Sequence, residues 1–320
     1  MKILSILMIS AAGIFSAAAA DTYTNPVYPS EWGSPTITAF RGEDGAFYGF
    51  IYQGWGRYSR DLVNWEDAYR VADDAGGFGN YTLYWPNVNK IGDRYVMYYT
   101  CLGAEDNNGA QVAISLSSQP ASYYSPHKVL VTASQLGLNG VNQPFMVSDD
   151  IDRYMFVASP DQGIYALKLS ADGLSLADGN KIQLTSAEMQ CPRVCRHNGY
   201  YYLFAEAQER IATGELRTNI VVGRSKSITG PYVDAAGARM LDGYYHTSMA
   251  GSRYFINPSN ISPLITDDAG NEWIIYNAVW AAGTHTRPVM LLDRVQWLDD
   301  WPLINDGYPS YYRTSAPVIR

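Results

Sequence analysis

Five times along this chain a proline-marked strand runs into a polar turn and returns as an aromatic strand. The fourth copy shows it most fully. Gln190-Cys191-Pro192 opens it, His197-Asn198-Gly199 turns it, and Tyr200-Tyr201-Tyr202-Leu203-Phe204 carries it back. Asn-Gly between two such runs is a strong hairpin signal, and Tyr, Phe and β-branched residues favour a pleated, half-buried surface. The other copies run from Ser34-Pro35 to Tyr52, Trp85-Pro86 to Tyr99, Gln143-Pro144 to Val157, and Ser262-Pro263 to Tyr276. A third short strand follows each hairpin, as in Gln111-Val112-Ala113-Ile114 and Ile220-Val221-Val222. The marker prolines at 35, 86, 144, 192 and 263 are spaced by 51, 58, 48 and 71 residues. Self-similarity at that period predicts a repeat architecture, and three or four short antiparallel strands per repeat predict a propeller blade rather than a sandwich. The expected fold is therefore all-β, a five-bladed β-propeller forming one domain over residues 21–320.

Residues 1–20 stand apart from that pattern. Lys2, the apolar run Ile3 to Phe15 and Ala18-Ala19-Ala20 have the three parts of a cleavable signal peptide. No cysteine follows the cleavage point, so a lipid anchor is not expected, and the mature chain is expected to be secreted or periplasmic. The remaining roughly 300 residues suit one closed propeller. A net charge of −8 without basic clusters argues against nucleic acid and anionic membranes as partners. No later segment is long and apolar enough to span a bilayer. Cys191 and Cys195, four apart in an extended run, lie on the order of 13 Å from each other, too far for a disulfide. With Cys101 they are expected to be free thiols. The chain is expected to act as a monomer.

Blade geometry turns sequence position into place. If the first strand of each blade starts on one face, the second returns to it. Ser34, Trp85, Asn142 and Gln190 are then expected to crowd one mouth of the central channel. The loops around Gln53-Gly54-Trp55, Gly103-Ala104-Glu105-Asp106, Pro160-Asp161-Gln162, Glu206 to Glu215, and Val279-Trp280 to Arg287 are expected to ring it. Such a mouth is the natural place for a ligand.

Several short motifs, in this order, resemble one known family. They are Asn25-Pro26-Val27, Arg60-Asp61-Leu62-Val63-Asn64-Trp65, Trp85-Pro86, Asn198-Gly199-Tyr200-Tyr201-Tyr202-Leu203, Gly230-Pro231-Tyr232, and Arg287-Pro288-Val289-Met290-Leu291 with Val295-Gln296-Trp297. Together they are similar to glycoside hydrolase family 43, whose members are five-bladed propellers acting on arabinofuranosides, xylosides and related plant-wall glycans. The resemblance covers essentially the whole mature chain. It implies an oligo- or polysaccharide as partner and an inverting mechanism run by three carboxylates. They are a general base at the start of blade one, a pKa-tuning aspartate at blade three, and a general acid at blade four. On this chain those positions fall on Ser34, Asn142 and Gln190, all neutral.

An inverting glycosidase needs one carboxylic acid to protonate the leaving oxygen and one carboxylate to activate water. Amides do neither, although they keep the shape and hydrogen bonds that hold a sugar. If the chemistry persists, other acids must supply it. Glu206 leaves the second strand of blade four toward the mouth. Glu188 precedes Gln190 by two and so points the same way. These two lead the candidates for catalysis, ahead of Glu31, Glu209 and Asp161. For substrate binding the candidates are Ser34, Asn142, Gln190, Trp85, Trp55, Trp280 and Arg287, the last in the family's Arg-Pro motif. Trp32 and Tyr84 are further stacking candidates. The four histidines, His127, His197, His246 and His285, lack metal-ligand spacing, so neither metal nor cofactor is expected. Three outcomes stay open: a glycoside hydrolase with relocated carboxylates, a glycan-binding propeller without chemistry, and a lyase using Tyr or His from residues 231–257.

Overall fold

Five antiparallel sheets follow one another along the chain, each with its strands in sequence order. The computed structural model describes residues 21–28, 38–72, 82–102, 110–281 and 288–320. The sheets are arranged as a five-bladed β-propeller. Blade one comprises Thr38–Arg41, Phe47–Phe50, Trp55–Ser59 and Trp65–Arg70. Blade two comprises Thr82–Ile91, Arg94–Leu102, Gln111–Ser117 and Lys128–Val131. Blade three runs through Asn142–Ser148, Arg153–Ser159, Gly163–Leu169 and Leu176–Gln183. Blade four holds Met189–His197, Tyr200–Arg210, Leu216–Ser225 and His246–Met249. In blade five, Phe255–Ser259 and the short Ile265–Thr266 both pair with Glu272–Trp280, which leads on to Pro288–Leu298 and Trp301–Ile304.

Five apolar clusters fill the five gaps between neighbouring blades. The alternation of a strand explains why one run of residues serves two gaps. Leu203 and Ala205 pack toward blade three, whereas Tyr202 and Phe204 pack toward blade five. A strand covered on both faces has no polar face to show, and this is why residues 200–204 read as unbroken apolar and aromatic sequence. Truncating a side chain such as Phe204, 2% exposed, is expected to cost about 3–5 kcal/mol.

The ring closes through the N-terminal lead-in. Thr22–Tyr23 pairs with Thr314–Ser315, and Val27 N donates to Met290 O at 3.0 Å. Asn25 imitates backbone: its Nδ2 donates to Leu292 O and its Oδ1 accepts Leu292 N, both at 3.0 Å. Blade one then meets blade five through Phe47, Leu62 and Trp65 against Trp273, Ile275 and Leu292.

The fourth strands of blades two, three and four, Lys128–Val131, Leu176–Gln183 and His246–Met249, lie beyond the third strands expected from sequence, and one expected marker proline is corrected. Leu176–Gln183 has no buried position and Lys128–Val131 only one, while His246–Met249 is half buried, so no apolar alternation marked them. In blade five the proline equivalent to Pro86, Pro144 and Pro192 is Pro258, not Pro263. Pro258 sits inside the strand nearest the axis, while Pro263 lies in the break between Phe255–Ser259 and Ile265–Thr266. Cys191 and Cys195 form no disulfide among the described residues, and Cys101 and Cys191 are buried.

Candidate functional site

Proline has no N–H to give to a strand ladder. In four blades the innermost strand carries one, and the pairing register slips by one residue around it. The slips fall between Tyr84 and Asn87, Asn142 and Phe145, Gln190 and Arg193, and Ile256 and Ser259. Each is a β-bulge, which bends the strand and re-aims a side chain. The residue before each proline takes a left-handed conformation: φ is 47° at Trp85 and 55° at Gln143, Cys191 and Asn257. That region costs a non-glycine residue on the order of 1–3 kcal/mol, so the surroundings must hold it there.

Hydrogen bonds between blades do so. Gln143 N donates to Thr100 Oγ1 of blade two at 2.8 Å, while Gln143 Oε1 accepts Cys191 N of blade four at 2.9 Å. Asn257 Oδ1 of blade five accepts Thr218 N of blade four at 3.1 Å. Across the channel, Trp85 Nε1 of blade two donates to Asn260 Oδ1 of blade five at 3.2 Å. Side-chain amides can accept and donate without charge, which suits a crowded axis. Gln143 and Asn257 therefore stitch blades together at the point where the ladders fail.

A cavity of about 390 Å³ lies within this ring, lined by Trp85, Asn142, Gln143, Gln190, Cys191, Glu206, Asn257 and Asn260 among others. Glu206 is its only acid among the described residues, and it is 6% exposed. It faces Gln190 directly across the strand pair. Its Oε1 accepts Asn260 N at 2.5 Å. Burial pushes the Glu206 carboxyl above the usual carboxylate range, against the pull of the Asn260 N–H, the Cys191 thiol and the Arg193 guanidinium. Arg193 is itself buried, donating from Nε to Ile261 O and from Nη1 to Pro192 O, both at 2.7 Å, and lying over the Phe145 ring. Burial and the nearby Glu206 push the Cys191 thiol well up, so it has little thiolate character and makes a poor nucleophile.

A second cavity of about 530 Å³ adjoins the first between blades three and four. Asn142, Gln143 and Gln190 line both, so the two are continuous at the mouth. The outer cavity adds Asp161, Glu188 and Gln208, all exposed. Asn142 Oδ1 is buried and has no hydrogen-bond partner among the described residues. An unsatisfied buried acceptor costs about 1–3 kcal/mol, and a ligand hydroxyl reaching it would relieve that cost.

Among the expected site residues, Trp85, Asn142, Gln190 and Glu206 meet in the axial cavity, and Glu188 joins Asn142 and Gln190 in the outer one. Ser34 and Arg287 lie outside the described residues, as do Glu31, Trp32 and His285. Trp55 is 43% exposed at the start of the third strand of blade one and lines neither cavity. Trp280 lines neither cavity and packs on Phe255, ring centroids 6.2 Å apart. Gln143, Cys191, Asn257 and Asn260 join the site beyond the residues expected from sequence. Three of them sit immediately before a bulge proline, and that position is the signal that finds them.

Residues 23–302 match the family described as Glycosyl hydrolases family 43. The extracellular exo-α-(1→5)-L-arabinofuranosidase ArbA of Cellvibrio japonicus is 26% identical over 281 residues, covering 78% of this chain and 79% of that protein. An extracellular endo-α-(1→5)-L-arabinanase of Bacillus subtilis is 24% identical, covering 68% and 67%. In fold, the chain is similar to a Cellvibrio cellulosa α-L-arabinanase solved with arabinohexaose. The TM-score is 0.72 at 21% identity, over 87% of this chain and 98% of that one.

Proposed function

This chain belongs to glycosyl hydrolases family 43, and from that premise we propose that it is an exported glycoside hydrolase acting on α-L-arabinofuranosyl or related plant-wall glycans. The substrate sits in the axial cavity and extends into the outer one. Glu206 protonates the leaving oxygen as the glycosidic C–O bond breaks, and Glu188 takes the proton from the water that attacks the anomeric carbon. Trp85 offers a ring face to the sugar, while Asn142 and Gln190 bind its hydroxyls.

One observation carries this reading: a buried carboxyl, raised above its ordinary range, stands at the mouth directly across the strand pair from Gln190. A general acid must hold its proton near neutral pH, and burial is how proteins arrange that. Asn142 Oδ1, buried and without a partner among the described residues, supports a ligand rich in hydroxyls. Export is supported by the leader-like residues 1–20 and by the extracellular relatives. No helix among the described residues is long and apolar enough to cross a membrane.

A second reading, binding without chemistry, is favoured by a different observation. Asn142, Gln143, Gln190, Asn257 and Asn260 make the cup wall neutral, and Glu206 already spends an oxygen on Asn260 N. Product analysis by mass spectrometry on arabinan, xylan and galactan oligosaccharides separates the two. Hydrolysis that disappears in Glu206→Gln supports the enzyme. Calorimetric binding with no product from any substrate supports the binder.

A further inference from the structure

Away from the axis, a second concave site lies at the mouth end of blade five. Tyr254 leads into the innermost strand of that blade, and its carbonyl accepts Ala281 N beyond the end of the second strand. The Tyr254 and Tyr311 rings stack at 3.7 Å with planes 6° apart, and Tyr312 stands edge-on to both. Tyr312 is nonetheless 67% exposed. Stacking holds these rings as a stiff shelf, so little conformational entropy is left to lose when a ligand lands on it. The cavity beside the shelf measures about 410 Å³, enough for one or two sugar rings by the usual size of small-molecule sites.

Its charge is unusual for this chain, which carries 31 acidic against 23 basic residues. Arg253 and Arg313 line the cavity, and no Asp or Glu does. Neither arginine forms a salt bridge among the described residues. Both are oriented by neutral groups: Arg253 donates to the Tyr254 hydroxyl and lies over its ring, and Arg313 Nε donates to Thr22 Oγ1 at 2.7 Å. A guanidinium is built to grip a carboxylate with two parallel hydrogen bonds. Tyrosine faces cover the C–H face of a sugar, and their hydroxyls reach its edge. Neutral sugars make no use of two cations that lack an acidic partner among the described residues, whereas a uronic acid uses both shelf and cations.

We propose that this pocket is a second glycan-binding site, specific for a sugar ring that carries a carboxylate. It binds acidic segments of a polysaccharide beside the neutral segment held at the axis. The site needs no turnover and stands whichever way the axial chemistry resolves.

Calorimetry on the full-length protein with an oligogalacturonate tests it, with a neutral arabino-oligosaccharide and inorganic phosphate as comparison probes. Binding of the oligogalacturonate is expected at low salt and should weaken in about 0.5 M NaCl, where exposed charges are screened. Tyr312→Ala should weaken it on the order of tenfold, the size of one lost aromatic contact. The double variant Arg253→Gln, Arg313→Gln should weaken it further while leaving the arabino-oligosaccharide affinity in place. Unchanged melting temperatures in both variants establish that they fold. The proposal is overturned if oligogalacturonate does not bind, if the variants bind it as well as the parent does, or if phosphate alone binds as tightly. In the parent protein, oligogalacturonate binding without arabino-oligosaccharide binding would count against the axial reading and for this one.

Discussion

The two cavities at the mouth share Asn142, Gln143 and Gln190 yet treat their acids in opposite ways. In the axial cavity Glu206 is enclosed, held by Asn260 N and pushed toward its protonated form by burial. In the outer cavity Asp161 and Glu188 stand exposed to water. Proton donor and proton acceptor call for these two environments. On the proposed reading burial alone separates one acid's role from the other's, although the sequence writes both as glutamate.

Replacing Glu206 with Gln tests that contrast hardest. Turnover on a cleaved arabino-oligosaccharide is expected to fall by about 10²–10⁴, the usual weight of a general acid, with binding retained. A larger loss in Glu188→Gln than in Glu206→Gln would reverse the assignment. Next in size is Arg193→Met. It removes the hydrogen bonds to Ile261 O and Pro192 O, leaving buried carbonyls unpaired, and should destabilise the fold by about 1–3 kcal/mol in urea titration. A cost below about 1 kcal/mol would show that those carbonyls find other partners.

Asp293 provides a control for burial away from the axial cavity. It accepts hydrogen bonds from Tyr276 Oη at 2.6 Å and Ser310 N at 3.1 Å and lines neither of the two cavities that share Asn142. Burial raises it from 3.8 to about 6. A folded pKa above the unfolded one means that the native state holds the proton longer. This stabilisation is fully present below pH 3.8 and is lost as pH rises through about 6. Asp293→Asn should flatten the fall in stability between those values, removing up to about 3 kcal/mol of pH dependence. Glu206→Gln should flatten it in the same direction. Only the Glu206 variant should also alter the acid–base profile of turnover, and a change in that profile with Asp293→Asn would mean that burial alone mimics the catalytic signature. The smallest effect belongs to Trp85→Ala, expected to weaken oligosaccharide binding about tenfold, as loss of one stacking face does. Unaltered affinity would mean that its indole serves only Asn260 Oδ1.

Much of the ring was legible because its strands are buried on two faces. Residues 200–204 could not be so aromatic and remain in water. The outer strands were illegible for the converse reason: Leu176–Gln183 touches solvent along nearly its whole length and carries no alternation. The bulge residues were half legible. Each proline marked a place where the ladder must fail, but Pro263 looked as good a marker as Pro258. Only the pairing of Phe255–Ser259 with Glu272–Trp280 distinguishes them. Trp280 reads as a sugar platform in sequence, yet it packs on Phe255, since aromatic residues serve blade gaps and ligand sites alike.

By itself the sequence determined the number of blades, the direction of each hairpin and the neutrality of Ser34, Asn142 and Gln190. Those follow from local rules: where proline interrupts a ladder, where Asn-Gly turns, and which side chains carry charge. The tertiary structure decided which acid is enclosed, which amides are occupied in joining blades, and which tyrosines stack into a shelf. Burial and partnership arise between residues dozens of positions apart, as in Glu206 with Asn260 or Trp85 with Asn260. No local pattern encodes the surroundings that set a carboxyl's proton affinity.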